Sequence, residues 1–157
     1  MPSLKPGSKA PSFSLENQNG EILSLKDIEE DYIALFFYPK DNTPGCTIEA
    51  QGFTALKKKF EKAKTLPIGI SGGTTKTKQK FCEKAGLDVT LLSDEDGSIG
   101  EKYGVYGEKK FMGRTYLGYQ RHSFLIGQDR KIIKIYDSVK PETHPEEILK
   151  DILSIKK

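Results

Sequence analysis

The stretch that decides the fold is YIALFFYPKDNTPGCTIEA, Tyr32–Ala50. Its first part, YIALFFY, is an unbroken apolar run of strand-forming residues. Such a run marks a strand buried on both faces, as in a parallel sheet covered by helices. The run stops at Pro39 and a polar loop, KDNT, follows. Pro44 then stands where proline is favoured, at the first position of a helix, with Thr43 as the candidate N-cap. A helix is expected over residues 44–62, with Ile48, Phe53, Leu56 and Phe60 recurring at helical spacing on the inward side.

Working outward, residues 1–11 read as an entry arm punctuated by Pro2, Pro6, Gly7 and Pro11. Residues 13–15 and 22–24 flank NQNG, whose Asn-Gly pair is a tight-turn signal, so a β-hairpin is expected there. After the first helix come a second buried strand at 66–70, a helix over 74–85 ending near Gly86, a strand at 89–92 and a helical turn at 99–103. Strands are expected at 114–119, 123–126 and 131–136, the last two paired across GQDR. A terminal helix over 144–155 should turn Ile148, Leu149, Ile152 and Ile155 inward. The order is a hairpin, then β-α-β-α-β, then antiparallel strands and a last helix. Alternating strands and helices imply a parallel sheet, so the fold class is α/β with an antiparallel edge.

The chain has 157 residues, which suits one domain spanning 1–157. No apolar run approaches the ~20 residues that span a bilayer, and MPSLKPGSKAPSFSL lacks an apolar leader segment. A cytoplasmic protein with no membrane partner is expected. The net charge is +3, and the densest basic cluster, KKKFEKAK (57–64), is interrupted by Glu61. It reads as a solvated helix face rather than as a nucleic-acid surface. His122 and His144 stand apart with no ligand pattern around them, so no metal is expected. Ser71-Gly72-Gly73 is too slight a phosphate-loop signal to imply a nucleotide, and no cofactor is expected.

Cys46 falls in the first turn of the expected helix. Backbone amides and the helix dipole favour an anion there, and the thiolate is the reactive form of cysteine. The bland reading is a small buried hydrophobe. A dithiol redox site would carry Cys-x-x-Cys, whereas here the first place is Thr43, in Thr-Pro-Gly-Cys. A hydroxyl cannot form a disulfide, but it can hydrogen-bond beside the sulfur. That suits a thiolate attacking a polar oxygen substrate better than it suits disulfide exchange.

The spacing Pro39-x-x-x-Thr43-x-x-Cys46 resembles the active-site signature of the peroxiredoxins. The surrounding sequence resembles their bacterioferritin comigratory protein, or peroxiredoxin Q, branch. The likeness runs through GSKAPSFSL (7–15), FFYPKDNTPGCT (36–47), KFCEKAGL (80–87), LLSDEDG (91–97), YGVYGEK (103–109) and RHSFLIG (121–127). It implies a thioredoxin fold with an N-terminal β-hairpin extension, a three-layer α/β/α sandwich. It also implies reduction of hydrogen peroxide and organic hydroperoxides through a peroxidatic Cys46. In that pattern Thr43 holds the peroxide, Pro39 shields the pocket, Arg121 stabilises the thiolate and Glu49 positions the arginine. Taken alone, Arg121 would read as a surface cation and Glu49 as a first-turn acid. The expected reductant is thioredoxin or a related dithiol protein, and the branch suggests a monomer.

One departure stands out. Many members of the branch place a resolving cysteine five residues after the peroxidatic one, and here that residue is Gln51. Cys82 is the only other thiol. Its setting, KFCEK, resembles a subset of the family that resolves from the next helix. An intramolecular Cys46–Cys82 disulfide is therefore implied. It would require local unwinding, since two separate helix positions are not expected within the roughly 4.4–6.8 Å Cα separation a bridge needs. The alternatives are a one-cysteine peroxiredoxin using an external thiol with Cys82 inert, a dithiol oxidoreductase, and a non-enzymatic nucleic-acid-protecting protein.

Overall fold

The computed structural model describes residues 4–137 and 139–155. The first three residues of the expected entry arm lie outside these. In chain order the elements are β1 (Ser14–Asn17), β2 (Ile22–Ser24), β3 (Tyr32–Phe37), α1 (Pro44–Ala55), α2 (Lys57–Lys62), β4 (Thr65–Ser71), α3 (Thr75–Ala85) and β5 (Thr90–Ser93). They continue with α4 (Ser98–Lys102), β6 (Tyr106–Phe111), β7 (Arg114–Tyr119), β8 (Ser123–Ile126), β9 (Ile132–Tyr136) and α5 (His144–Ile155).

Among the described residues seven strands form one sheet in the order β2-β1-β5-β4-β3-β8-β9. β3, β4 and β5 are parallel, and β8 and β9 add antiparallel strands on one side. The β1–β2 hairpin extends the other side, pairing with β5 through Glu16 and Ser93. The arm is tied down by Gly7 and Ala10, whose amides donate to the carbonyls of Ile132 and Arg130 at 2.8 and 2.9 Å.

β3 shows why its run is apolar throughout. Successive side chains alternate between faces: Ile33, Leu35 and Phe37 enter one core with Ile68, Ile70 and Phe124, and Ala34, Phe36 and Tyr38 enter the other with Leu91 and Leu125. The first core is closed by α4, Tyr119 and the segment carrying Phe13, Leu25 and Ile28. The second is closed by α1, α2, α3 and α5. The result is the expected three-layer α/β/α arrangement. Phe36 and Phe53 stack across the second core with ring centroids 4.3 Å apart. Each such buried side chain contributes roughly 1.5–3 kcal/mol.

The structure corrects several expectations. The helix expected over 44–62 is two helices, because Leu56 leaves helical geometry at φ −97° and ψ 8°. Near that break the Thr54 hydroxyl donates to the Ala50 carbonyl at 2.9 Å, a bond that bends helices. Ile48 is 42% exposed rather than inward. The buried stripe of α1 is instead Cys46, Glu49, Ala50 and Phe53, so its register follows the cysteine. Ile155 is also exposed, at the last turn of α5, while Ile148, Leu149 and Ile152 are buried as expected. Strand β7 does not join the main sheet. It pairs with β6, which the sequence reading passed over, as a separate two-stranded ribbon. Among the described residues no helix is long and apolar enough to cross a membrane.

Candidate active site

The site forms where β3 ends. Residues 38–43 leave the sheet and turn through Asn42, whose positive φ of 64° suits asparagine better than most side chains. Thr43 is extended and occupies the N-cap position, as expected, but its hydroxyl does not cap the helix. It donates instead to the Lys40 carbonyl at 2.8 Å, and the Thr43 carbonyl accepts the Thr47 amide at 2.9 Å. Pro44 begins α1, Pro39 is half-buried in the loop, and Cys46 lies in the first turn with 1% of its surface exposed.

Arg121 arrives from far along the chain. β8 runs antiparallel to β3, with Ser123 opposite Phe36, and the Phe37 amide donates to the His122 carbonyl at 2.8 Å. That pairing sets residues 120–122 beside the start of the loop. Arg121 Nη2 donates to Cys46 Sγ at 3.4 Å, and Nη1 donates to Glu49 Oε1 at 2.8 Å. Glu49 lies one turn after Cys46 on the same face of α1, the spacing at which helical side chains meet. One guanidinium thus bridges sulfur and carboxylate.

Two close approaches depend on glycine. A Cβ on Gly45 would lie 3.0 Å from Arg121 Nη2, so the missing side chain lets the guanidinium settle over the helix start. A Cβ on Gly52 would lie 2.8 Å from the Pro145 ring, so α5 packs directly on α1. α5 also contributes His144, fully buried, with Nε2 2.7 Å from Ser123 Oγ and Nδ1 2.9 Å from Glu147 Oε1.

The electrostatics are uneven. Burial pushes Glu49 up to about 7, although Arg121 beside it favours the ionised form. Burial wins because Glu49 has no exposed surface and its Oε2 has no hydrogen-bond partner among the described residues. Burial also pushes the His144 imidazole below its usual range. An open groove of about 520 Å3 lies against Arg121 and is lined also by Lys109, His122, Lys140 and one carboxylate, Asp137. Its cationic flank suits a polar oxygen ligand approaching the guanidinium.

Cys82 stands on α3, half-buried at the edge of the second core, and is not joined to Cys46. Burial, then the charge of Asp41, pushes its thiol up to about 11. Gln51, in the place of an intrahelical resolver, is exposed and donates to the Ala85 carbonyl at 3.1 Å, linking α1 to the end of α3. The structure therefore brings Cys46, Glu49 and Arg121 into contact, keeps Thr43 and Pro39 in the adjoining loop, and leaves Cys82 on its own helix. The sequence reading assigned no role to Tyr38, Asp41 and Lys78, which form a buried polar cluster between that loop and α3. Lys78 sits in the lysine-rich KTKQK, where nothing local separates it from its solvated neighbours. Among the described residues no group of three or more His, Cys, Asp or Glu side chains could hold a metal ion.

The sequence and the fold both match known proteins. The AhpC/TSA family model matches residues 6–135. The peroxiredoxin Bcp of Escherichia coli is 44% identical over 149 residues, covering 95% of this chain and 96% of that protein. A cysteine-to-serine variant of Xylella fastidiosa PrxQ superposes with a TM-score of 0.92 at 28% identity, covering all of both chains. The bacterioferritin comigratory protein of Xanthomonas campestris, solved in work on its alkyl peroxide reduction, gives 0.86 at 30% identity over 92% of each chain. The chain belongs to the AhpC/TSA family, as a peroxiredoxin of the Bcp and PrxQ branch, and is thereby a peroxidase.

Proposed function

We propose that Cys46 is the peroxidatic thiol and Cys82 its resolver. The Cys46 thiolate attacks one oxygen of a hydroperoxide ROOH. An S–O bond forms, the O–O bond breaks, and the alkoxide or hydroxide takes up a proton to leave as ROH or water. The observation that carries this reading is the guanidinium of Arg121, which donates to Cys46 Sγ at 3.4 Å and is braced by Glu49 at 2.8 Å. A fixed cation at the sulfur stabilises the negative charge that develops on the peroxide oxygens as the O–O bond breaks. Thr43, whose hydroxyl proton is committed to the Lys40 carbonyl, keeps oxygen lone pairs to accept a peroxide O–H, and Pro39 walls the loop beside it.

The sulfenic acid on Cys46 is the first step of the thiol oxidation ladder and condenses with an available thiol. Cys82 attacks it, the S–S bond forms and hydroxide leaves as water. Thioredoxin or a related dithiol protein then reduces the disulfide. Because the two cysteines stand on different helices, this requires local unwinding of α1 and α3. One domain, working as a monomer in the cytoplasm, completes the reading. A second reading has Cys82 inert and an external thiol as resolver. It is favoured by the Cys82 thiol being held protonated while folded, with its pKa near 11.

Non-reducing mass spectrometry after one equivalent of hydrogen peroxide tests both. A Cys46–Cys82 disulfide is expected. Oxidation confined to Cys46 with Cys82 free selects the one-cysteine enzyme, and an unoxidised Cys46 overturns the peroxidatic assignment.

A further inference from the structure

The buried cluster between residues 38–43 and α3 plays no part in peroxide chemistry as described. Lys78 has no exposed surface. Its ammonium donates to Asp41 Oδ1 and Oδ2 at 3.3 and 3.2 Å, Ser71 Oγ at 2.7 Å and the Gly72 carbonyl at 2.8 Å. Asp41 accepts in addition from the Tyr38 hydroxyl at 2.7 Å and from Thr77 Oγ1 at 3.1 Å. The Lys78 ammonium also lies 5.4 Å from the centre of the Tyr38 ring. Asp41 belongs to the loop that runs into Thr43 and Cys46. Lys78 belongs to α3, one helical turn before Cys82. The pair therefore clamps the peroxidatic loop to the helix that carries the second thiol.

Placement and physics make this clamp two-state. A buried ion pair gives up hydration and holds together only with its full set of partners, which Lys78 has. Neither charge can part from the other while dry. Once the segment opens, water solvates both, so an ion pair gives way to opening more readily than an apolar contact of the same size. Burial already pushes the Lys78 ammonium below its usual range. Lys78 lies one turn before Cys82 on the same face of the short helix α3, so a movement of the helix that carries Cys82 toward Cys46 pulls on Lys78 as well.

We propose that Lys78 is a positioning residue for the resolving step. Its buried pair with Asp41 holds the peroxidatic loop against α3 while Cys46 meets peroxide, and release of that pair into water sets the rate at which Cys82 reaches the Cys46 sulfenic acid. This rests on Cys82 being the resolver. The folded clamp also keeps the resolver quiet, because burial and the Asp41 charge hold the Cys82 thiol protonated, with Lys78 opposing in part. Unwinding removes both and restores an ordinary thiol.

The test compares the wild type with Lys78→Met and with the gentler Tyr38→Phe, which removes one bond to Asp41. Each reduced full-length protein receives one equivalent of hydrogen peroxide. Samples are trapped with an alkylating agent over time, and the Cys46 sulfenic acid and the disulfide are counted by mass spectrometry. Lys78→Met should convert sulfenic acid to disulfide on the order of tenfold faster, since removing one partner of a buried pair weakens the closed state at least that much. Tyr38→Phe should shift the same way by less. Excess peroxide should leave less Cys46 sulfinic acid in Lys78→Met, and amide exchange should rise in α3 more than in β8. A disulfide that forms in the wild type but no faster in either variant overturns the clamp and leaves the resolver standing. No Cys46–Cys82 disulfide in the wild type overturns the resolver, and the clamp with it.

Discussion

Glu49 lies entirely out of solvent yet meets Arg121 through only one of its two oxygens, at 2.8 Å. The other oxygen is buried and has no hydrogen-bond partner among the described residues. This half-satisfied carboxylate holds the guanidinium that reaches the Cys46 sulfur, so its charge state and the set of the arginine are coupled. The proton on Glu49 is the first place to look for that coupling.

Glu49 titrates near 7 in the folded chain, against 4.5 for an ordinary glutamate. Between those values the folded chain holds a proton that the unfolded chain has released. Its contribution to stability is therefore full below about pH 4.5 and is lost as pH rises through about 7. Glu49→Gln should lack this component, so the wild-type-minus-variant difference in unfolding free energy should fall steadily across that window. Chemical denaturation at a series of pH values measures it. A flat difference would show that Glu49 takes up its proton at the same pH folded as unfolded.

Arg121→Ala should slow oxidation of Cys46 by ~10²–10³, the usual loss when one donor to a developing anion is removed. The groove beside it stays cationic through Lys109 and Lys140, so a smaller loss would mean that the general field, rather than the bridging guanidinium, carries the effect. Single-turnover kinetics at fixed pH and ionic strength give the answer.

How much of this was readable in advance depends on range along the chain. β3 and the start of α1 were legible because an apolar run, Pro39 and Pro44 are local signals. The contact of Arg121 with Cys46 was not, because it is made by the register of β3 against β8 across 75 positions. Only likeness to a family pointed to it. β6, YGEKKF, carries no local strand signal because Gly107, Glu108, Lys109 and Lys110 separate its only large apolar residues, Tyr106 and Phe111. The break at Leu56 was hidden because the apolar spacing continues through it to Phe60, which is buried as expected. Lys78 reads as one of many solvated lysines, and only the fold shows it without exposed surface.

Gly52→Ala offers a check on the packing of α5. Alanine in a helix interior ordinarily stabilises by roughly 0.5–1 kcal/mol relative to glycine. Here the new methyl would meet the Pro145 ring at 2.8 Å, and overpacking of this kind costs ~1–3 kcal/mol. The clash should win, lowering the unfolding free energy. Since α5 carries His144, which contacts Ser123 at the start of β8, the variant should also slow peroxide reduction. A stabilised variant would mean that α5 shifts at no cost.

Cys46→Ser should lose peroxide turnover down to the uncatalysed background while keeping its fold, since serine is nearly isosteric with cysteine but far less nucleophilic at neutral pH. Cys82→Ser separates the two resolving schemes. The variant keeps Cys46, Arg121 and Glu49, so it should consume one equivalent of peroxide at the wild-type rate. It should then fail to turn over with thioredoxin and should accumulate sulfinic acid at Cys46 as peroxide is raised, because nothing on the chain intercepts the sulfenic acid. Tethering gives Cys82 a high effective concentration only if α3 can unwind far enough to deliver it. Faster amide exchange in α1 and α3 of the oxidised protein than of the reduced one should accompany the disulfide. Turnover with thioredoxin, scored beside the mass of the oxidised chain, decides the matter. Normal thioredoxin-driven turnover in Cys82→Ser would mean that an external thiol resolves Cys46 and that Cys82 is a half-buried packing residue.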